Sequence, residues 1–512
     1  MPSPVSMSPI EAQILENIQT HPLVITTLPW IHWAAALPWW VWGAAGVGVV
    51  GLSILIGHLT HAHGSHPKIL SVSGARFATK ADLQAFGCYT RHRPHGMYIG
   101  RTYGRDTYLP QGHTIVVGPS RSGKSELGHA VEAEFEGCVV SVDLKGGAIT
   151  HRRRFRERHG PVYVFSPRDV GSDRYNFLGT VRFGEAGRWG EIPAVQRISD
   201  HLTSDGAQSA SLGAIHFRGW NQRILEAAIL YEGNYAAPRA GRPPSLGHAY
   251  QWMGSAPLPD LIQQMTATDH PVIQRDAIAL LGDRGREGLW SSALQYLRIF
   301  DDPTLTENTH ETTIPLDTLQ HEPRPCTVFI RASPDDVRGP LRLLIRLMLD
   351  QHLALAGMRE HPSAVMHAEL MHLDDQAELG YLAAADHIES FYGEHKIWLF
   401  GMFQSFTQLK AYGGGYASLL DNSRTWIVFP PQHHDSSELV SRKLGDQTVY
   451  EEHVTRSQRR VSLTVLPRTR RLQDPFEIEQ WPDYHAVVFY RGQPPIFTAH
   501  VRYTQRRMRP VA

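Results

Sequence analysis

The sequence predicts an α/β fold: a parallel, doubly wound sheet with a P-loop, a mostly helical insertion and an N-terminal transmembrane anchor. Three observations predict it. His113 to Ser125 reads HTIVVGPSRSGKS, with Gly118, Gly123, Lys124 and Ser125 in the G-x-x-x-x-G-K-[ST] spacing of a P-loop. Short β-branched runs alternate with helical patterns around that loop, as parallel strands with crossover helices do. Trp33 to Gly57 is almost entirely apolar and, at roughly 1.5 Å per residue, outreaches a hydrocarbon core of about 30 Å.

Composition sets bounds. The chain has 512 residues, which implies two or three domains. Lys plus Arg is 50 and Asp plus Glu is 50, so overall charge points to no partner, and nucleic-acid binding would need local basic patches. Cys88, Cys138 and Cys326 are far apart and odd in number. They suggest no disulfide framework or zinc site, and they suit a reducing compartment.

Residues 8–18 suit a short amphipathic helix lying on a membrane or a neighbour. Ser8 is its N-cap, Pro9 its first position and Glu11 its capping-box partner, with Ile10, Ile14 and Ile18 on one face. Between Glu16 and Lys68 there is no Asp, Glu, Lys or Arg. Trp33, Trp39, Trp40 and Trp42 gather at the start of the predicted span, as interfacial anchors do. Lys68, Arg76 and Lys80 follow it, so the positive-inside rule places the long C-terminal part in the cytoplasm. Pro22 to Leu37 is apolar enough for a second crossing, although Pro29 and His32 weaken it. His58, His61, His63 and His66 offer imidazoles for a metal or for solvation at headgroup level.

In the P-loop, Gly118 and Gly123 let backbone N–H groups turn inward toward phosphate oxygens. Pro119, Ser120, Arg121 and Ser122 complete the loop. The following helix, expected over Glu126 to Phe135, adds the positive end of its dipole. Lys124 is placed to reach the β- and γ-phosphates, and the Ser125 hydroxyl to ligate Mg²⁺. The sequence therefore predicts a nucleoside-triphosphate site.

Further strands are expected at Cys138–Asp143, which runs into Leu144-Lys145-Gly146-Gly147, and at Val162–Phe165. The basic run His151–His159 between them suits a helix. From Gly184 to Asn308 strand patterns vanish. Val195, Ile198 and Leu202 show helical spacing, as do Trp220, Ile224 and Ala228, in a helix expected to close at Gly233. Leu289, Ala293, Leu297 and Phe300 repeat the period, and Ala236 to Ser245 reads as a loop. The sheet resumes at Cys326–Ile330, with Ser333, Pro334 and Asp336 capping a long helix. Glu369 to Leu373 reads as a strand ending in Asp374 and Asp375. These acids could serve Mg²⁺ and the attacking water, or merely cap a helix. Two polar residues, Glu369 and His372, are unexplained within it. Lys396–Met402 is a strand followed by Gln404, at the edge that faces a nucleotide crevice in a parallel sheet. Thr425–Phe429 is a further strand, and Val487–Tyr490 with Ile496–Val501 reads as a terminal hairpin-like pair before a basic tail. The expected divisions are residues 1–66 for the N-terminal segment and anchor, 67–183 and 309–505 for the nucleotide-binding domain, 184–308 for the helical insertion and 506–512 for the tail.

The order of these motifs resembles the type IV secretion coupling proteins of bacterial conjugation, the TraG/TraD-like family. The resemblance rests on GPSRSGKS at Gly118–Ser125, VDLKGG at Val142–Gly147 and VYVFSP at Val162–Pro167. It extends through SDRYNFLG at Ser172–Gly179, LDDQAELG at Leu373–Gly380 and FQSFTQLKAYG at Phe403–Gly413. It implies a RecA-like ATPase using ATP and Mg²⁺, held at the inner membrane with its bulk in the cytoplasm and assembled as a homo-hexamer. The implied partners are single-stranded DNA, relaxase and relaxosome proteins, and inner-membrane components of the secretion channel. By resemblance Lys124 and Ser125 take the P-loop roles and Asp374 the Mg²⁺ role. Asp375 stands where the catalytic Glu is usual, and Gln404 is similar to the γ-phosphate sensor.

Three departures accompany the resemblance. Asp375 is one methylene shorter than Glu. Gly147 replaces the usual Glu after Lys-Gly. No Arg precedes Gln404 as an arginine finger, which leaves Lys396 and Arg105 as candidates. Two basic groups could bind DNA phosphates or simply be solvated: Arg152, Arg153, Arg154 and Arg156, and Arg456, Arg459, Arg460, Arg468, Arg470 and Arg471. The implied function is an ATPase driving DNA or nucleoprotein toward a type IV channel. The alternative is an ATP-binding receptor for protein effectors with weak or no hydrolysis. A chromosome-segregation translocase would share the motor but normally adds a DNA-reading C-terminal domain, which the sequence does not suggest.

Overall fold

The computed structural model describes residues 70–89, 96–144, 149–184, 189–204, 212–358, 364–380, 382, 393–410, 416–457 and 460–500. The 8–18 helix, the Trp33–Gly57 span, the histidines from His58 to His66, the Lys145–Gly147 run and the basic tail lie outside those residues. Among the described residues no helix is long and apolar enough to cross a membrane.

Among the described residues fourteen strands follow in chain order. They are β1 Leu70–Gly74, β2 Gly96–Thr102, β3 Arg105–Pro110, β4 Thr114–Val117, β5 Cys138–Asp143, β6 Val162–Phe165 and β7 Thr327–Arg331. After these come β8 Glu369–Leu373, β9 Ile397–Phe403, β10 Thr425–Val428, β11 Asp446–Ser457, β12 Arg460–Arg471, β13 His485–Tyr490 and β14 Ile496–Ala499. The main sheet has 11 strands in the order β3-β2-β14-β13-β10-β4-β9-β8-β5-β7-β6. From β10 to β6 every pairing is parallel. From β10 outward through β13, β14, β2 and β3 every pairing is antiparallel. The sheet is therefore mixed and mostly parallel, where the sequence predicts a parallel one. Hairpin-linked pairs such as β2–β3 and β13–β14 need no crossover helix, so they append to a parallel sheet as an antiparallel edge.

Alternation along the central strands explains how both faces are covered. Ile115 and Val117 enter one buried cluster and Val116 the other; Val140 and Val142 likewise oppose Val139. One face receives the helix Lys124–Glu134 through Leu127, Ala130 and Val131. The other continues into the helical segment between β6 and β7. That segment comprises helices Ile192–Thr203, Leu212–Tyr231, Leu246–Met253, Leu258–Thr266, Pro271–Gly282, Arg286–Leu297 and Pro303–Asn308. Two local expectations differ. The helix from Leu212 does not close at Gly233: it runs through a wide turn at Glu232–Ala236 into Ala237–Ala240 and stops at Gly241, whose φ of 61° only glycine adopts readily. The stretch read as a loop from Ala236 is therefore helical at its start. Ser333 caps only the short helix Pro334–Val337, through a capping box with Asp336, and the long helix Leu341–Gly357 starts separately.

Contacts divide the chain into two compact units. The large one, residues 72–448 and 469–512, holds the main sheet and the helical segment. Among the described residues the smaller one, residues 1–71 and 449–468, contributes the start of β1, the C-terminal part of β11 and the N-terminal part of β12.

Candidate functional site

β4, β9 and β8 lie side by side in parallel, so their C-terminal ends stop together. Val117 registers with Phe403, and Leu373 with Gly401. The residues that follow these ends, Gly118, Gln404 and Asp374, therefore emerge on one edge. The Gly118 N–H donates to the Phe403 carbonyl at 3.1 Å, which pins the start of the loop to β9.

Two glycines shape the loop. A Cβ at Gly118 would stand 2.6 Å from Phe429 Cβ. Gly123 has φ +107°, and a Cβ there would stand 2.9 Å from Tyr484 Cδ1. Backbone strain is thus avoided at Gly123 only by the missing side chain. Arg121 also turns left-handed, at φ 66°. Ser120 and Arg121 are exposed at the crest, whereas Ser122 is buried beneath it. Helix Lys124–Glu134 starts directly after Gly123, so its unpaired N–H groups open toward the loop. Lys124 Nζ donates to the carbonyls of Gly118 and, at 2.8 Å, Pro119.

Two acids meet this loop. Ser125 Oγ donates to Asp374 Oδ2 at 3.2 Å, across 249 residues of sequence. Asp375 has left-handed backbone at φ 54°, and its Oδ1 accepts from Gln404 Nε2 at 3.4 Å. Asp375 occupies the N-cap position of the short turn Gln376–Leu379, yet its side chain makes no cap hydrogen bond. A Cβ at Gly401 would stand 2.2 Å from Gln376 Oε1, so a glycine in β9 is what admits that buried amide beside the acids. The donor set suits Mg²⁺. Ser125 and Asp374 offer hard oxygens, and cis ligands about 2.1 Å from one octahedral ion lie roughly 3 Å apart.

Behind the acids lies a buried ionic cluster that sequence reading missed. Arg152, 2% exposed, donates to Glu132 at 3.1 Å and to Asp143. His372 Nδ1 and Ser141 Oγ also meet the Glu132 carboxylate. Burial alone would raise the Glu132 pKa, but the charges of Arg152 and His372 prevail and hold it well below the usual carboxylate range. The cluster ties the P-loop helix (Glu132) to β5 (Ser141, Asp143), β8 (His372) and helix Ile149–Arg156. Similarly Glu369 is fully buried against His352 Nε2 at 2.6 Å. The signal for both was charge inside apolar runs, since a buried charge requires a partner.

This corrects the reading of the first basic group. Arg152 and Arg156 are neither DNA contacts nor solvated. Arg156 is wholly buried and donates to the carbonyls of Glu132 at 3.0 Å and Gly137 at 2.6 Å. Of the four arginines in this group, Arg153 and Arg154 are exposed. In the second group, Arg470 pairs with Glu477 and Arg471 with Glu438. The side chains of Arg456, Arg459 and Arg460 lie outside the description. Lys396 sits at the N-terminal end of β9, on the edge opposite the P-loop, with Nζ 3.5 Å from the Val365 carbonyl. It therefore cannot reach this subunit's own phosphate loop. Arg105 stands at the β2–β3 turn over the Tyr89 ring.

Fold and site together define a P-loop nucleotide-binding protein of the α/β class. The chain belongs to the family of type IV secretory system conjugative DNA transfer proteins, whose model matches residues 75–509. It is 27% identical over 444 residues to the conjugal transfer protein TraG of Escherichia coli, covering 78% of this chain and 68% of that one. It is 22% identical over 460 residues to VirD4 of Agrobacterium fabrum, covering 85% and 66%. Among solved structures it matches the plasmid coupling protein TrwB in complex with ADP and Mg²⁺ at TM-score 0.63 and 17% identity, over 87% of this chain and 98% of that one.

Proposed function

We propose that this chain is a membrane-anchored ATPase that drives single-stranded DNA, or a relaxase–DNA complex, toward a type IV secretion channel during conjugation. The observation that carries the catalytic part is the convergence of Ser125 with Asp374, and of Asp375 with Gln404, at the mouth of the P-loop. Family membership supports the conjugative role, and TrwB has been solved with ADP and Mg²⁺ and with a non-hydrolysable ATP analogue.

ATP would lie with its phosphates on the N–H groups of Gly118 to Ser125. Mg²⁺, held by Ser125 and Asp374, would neutralise charge on the phosphate oxygens. The chain's own residues do the rest. Lys124 leaves the loop carbonyls to meet the phosphates, Asp375 orients the attacking water, and Gln404 senses the terminal phosphate through its contact with Asp375. The motor works as a homo-hexamer at the inner membrane, with its bulk in the cytoplasm, the span at Trp33–Gly57 and the divisions at 66, 183, 308 and 505. Relaxase and the channel's inner-membrane components are its partners.

Nucleotide binding tests the site. Full-length protein in detergent should bind ATP in a Mg²⁺-dependent way, and Lys124→Ala should weaken binding at least ~10-fold. Undiminished ATP affinity in Lys124→Ala would remove the assignment.

A further inference from the structure

A cavity of about 360 Å³ opens at the edge of the sheet opposite the P-loop. His113, Trp398 and Arg424 line it, and these residues stand at the N-terminal ends of β4, β9 and β10, next to Arg491 just after β13. Its size lies within the range of small-molecule sites.

His113 makes the chemistry specific. The residue is 5% exposed. Its Nδ1 accepts the backbone N–H of Leu399 at 3.1 Å, which leaves the ring proton on Nε2. Burial pushes the imidazole pKa down to about 4, so the ring is neutral at physiological pH. Nε2 is buried and has no hydrogen-bond partner among the described residues. A buried donor left unpaired is costly, and a ligand oxygen would satisfy it. Beside it lie two guanidinium groups that form no ion pair among the described residues. Arg424 stacks over the Tyr490 ring at 5.1 Å, and the Arg491 N–H donates to the Arg424 carbonyl at 3.3 Å. One carboxylate, Asp421, also lines the cavity, so its charged side chains sum to a net positive. Trp398 supplies a flat wall, its indole N–H fixed on Gln111 at 2.9 Å.

Two guanidinium groups and an imidazole N–H suit the oxygens of a tetrahedral oxyanion, and guanidinium forks favour phosphate. We propose that this cavity is a second site, independent of the P-loop, for a small phosphate ester held by Arg424, Arg491 and the His113 Nε2–H against Trp398. The ester is either a soluble mononucleotide-sized molecule or the headgroup of an anionic phospholipid.

The test uses the full chain in detergent, carrying Lys124→Ala to weaken the P-loop. It is titrated calorimetrically with inorganic phosphate, with AMP, and separately with phosphatidylglycerol vesicles. The proposal expects saturable one-site binding of AMP or of vesicles, weakened at least ~10-fold by Arg424→Ala with Arg491→Ala. Both arginines are exposed, so the melting temperature of that variant should match the parent. His113→Phe, which removes the donor, should weaken binding independently of the arginines. AMP binding identifies a soluble ligand, and vesicle binding alone identifies a headgroup. Absence of saturable binding to every probe, or binding undiminished in the double arginine variant, overturns the proposal.

Discussion

Asp375 concentrates the chemical question at the scale of single residues. Its carboxylate is one methylene shorter than the glutamate usual at this place, yet its left-handed backbone and its contact with Gln404 present it at the loop mouth. If it orients the attacking water, Asp375→Asn should lower kcat at least ~100-fold while leaving ATP affinity within a few-fold. Single-turnover hydrolysis beside equilibrium binding separates the two effects, and an equal loss in both would deny the role. Arg152 makes a second residue-scale prediction. Arg152→Met removes the guanidinium that offsets the charges of Glu132 and Asp143 inside the buried cluster, which should cost about 3–5 kcal/mol in urea unfolding. Glu132 adds a pH dependence. Its folded pKa lies below its unfolded value, so its contribution is present above about pH 4.3 and lost as pH falls through the folded value. Urea midpoints of wild type should therefore fall as pH drops below about 4, and Glu132→Gln should flatten that fall.

At the scale of elements, the P-loop unit was legible because its signals are local. Gly118 to Ser125, the strand before and the helix after lie in one continuous stretch, and β4 and helix Lys124–Glu134 match it within two residues at the helix start. β8 was legible only as an outline. Glu369 and His372 looked wrong for a buried strand because their partners, His352 and Glu132, come from other elements that no local pattern announces. The same holds for Arg152 and Arg156, whose basic run mimics a solvated face. β2 and β3 carry glycines and charges, and β2 is bulged between Tyr98 and Gly100, so neither shows a clean alternation. Packing of the P-loop helix also rests on an absent side chain. A Cβ at Gly128 would stand 2.1 Å from Met402 Cε and 2.6 Å from His372 Nε2. The methionine end can move, but the imidazole is held by Glu132. Gly128→Ala should therefore lose about 1–3 kcal/mol, despite alanine's better helix propensity, and a raised melting temperature would contradict this packing.

For the whole molecule, sequence order and three-dimensional order diverge in an informative way. Sequence alternation foretold parallel strands, and β10 to β6 are parallel; the hairpin-like pair read at Val487–Tyr490 and Ile496–Val501 is the antiparallel β13–β14, whereas β2–β3 and the β14–β2 pairing, made between strands far apart in sequence, escaped. The candidate site depends on this global arrangement. The phosphate loop and the acids are 249 residues apart at Ser125 and Asp374, and the helical segment is inserted between them. On the proposed function, ATP hydrolysis at this site responds to DNA. Steady-state ATP hydrolysis by the full-length protein, with and without single-stranded DNA and beside Lys124→Ala, tests it most directly. Turnover should rise several-fold with DNA and vanish in the variant. Tight ATP binding without turnover in either condition, or turnover unchanged by Lys124→Ala, would contradict it.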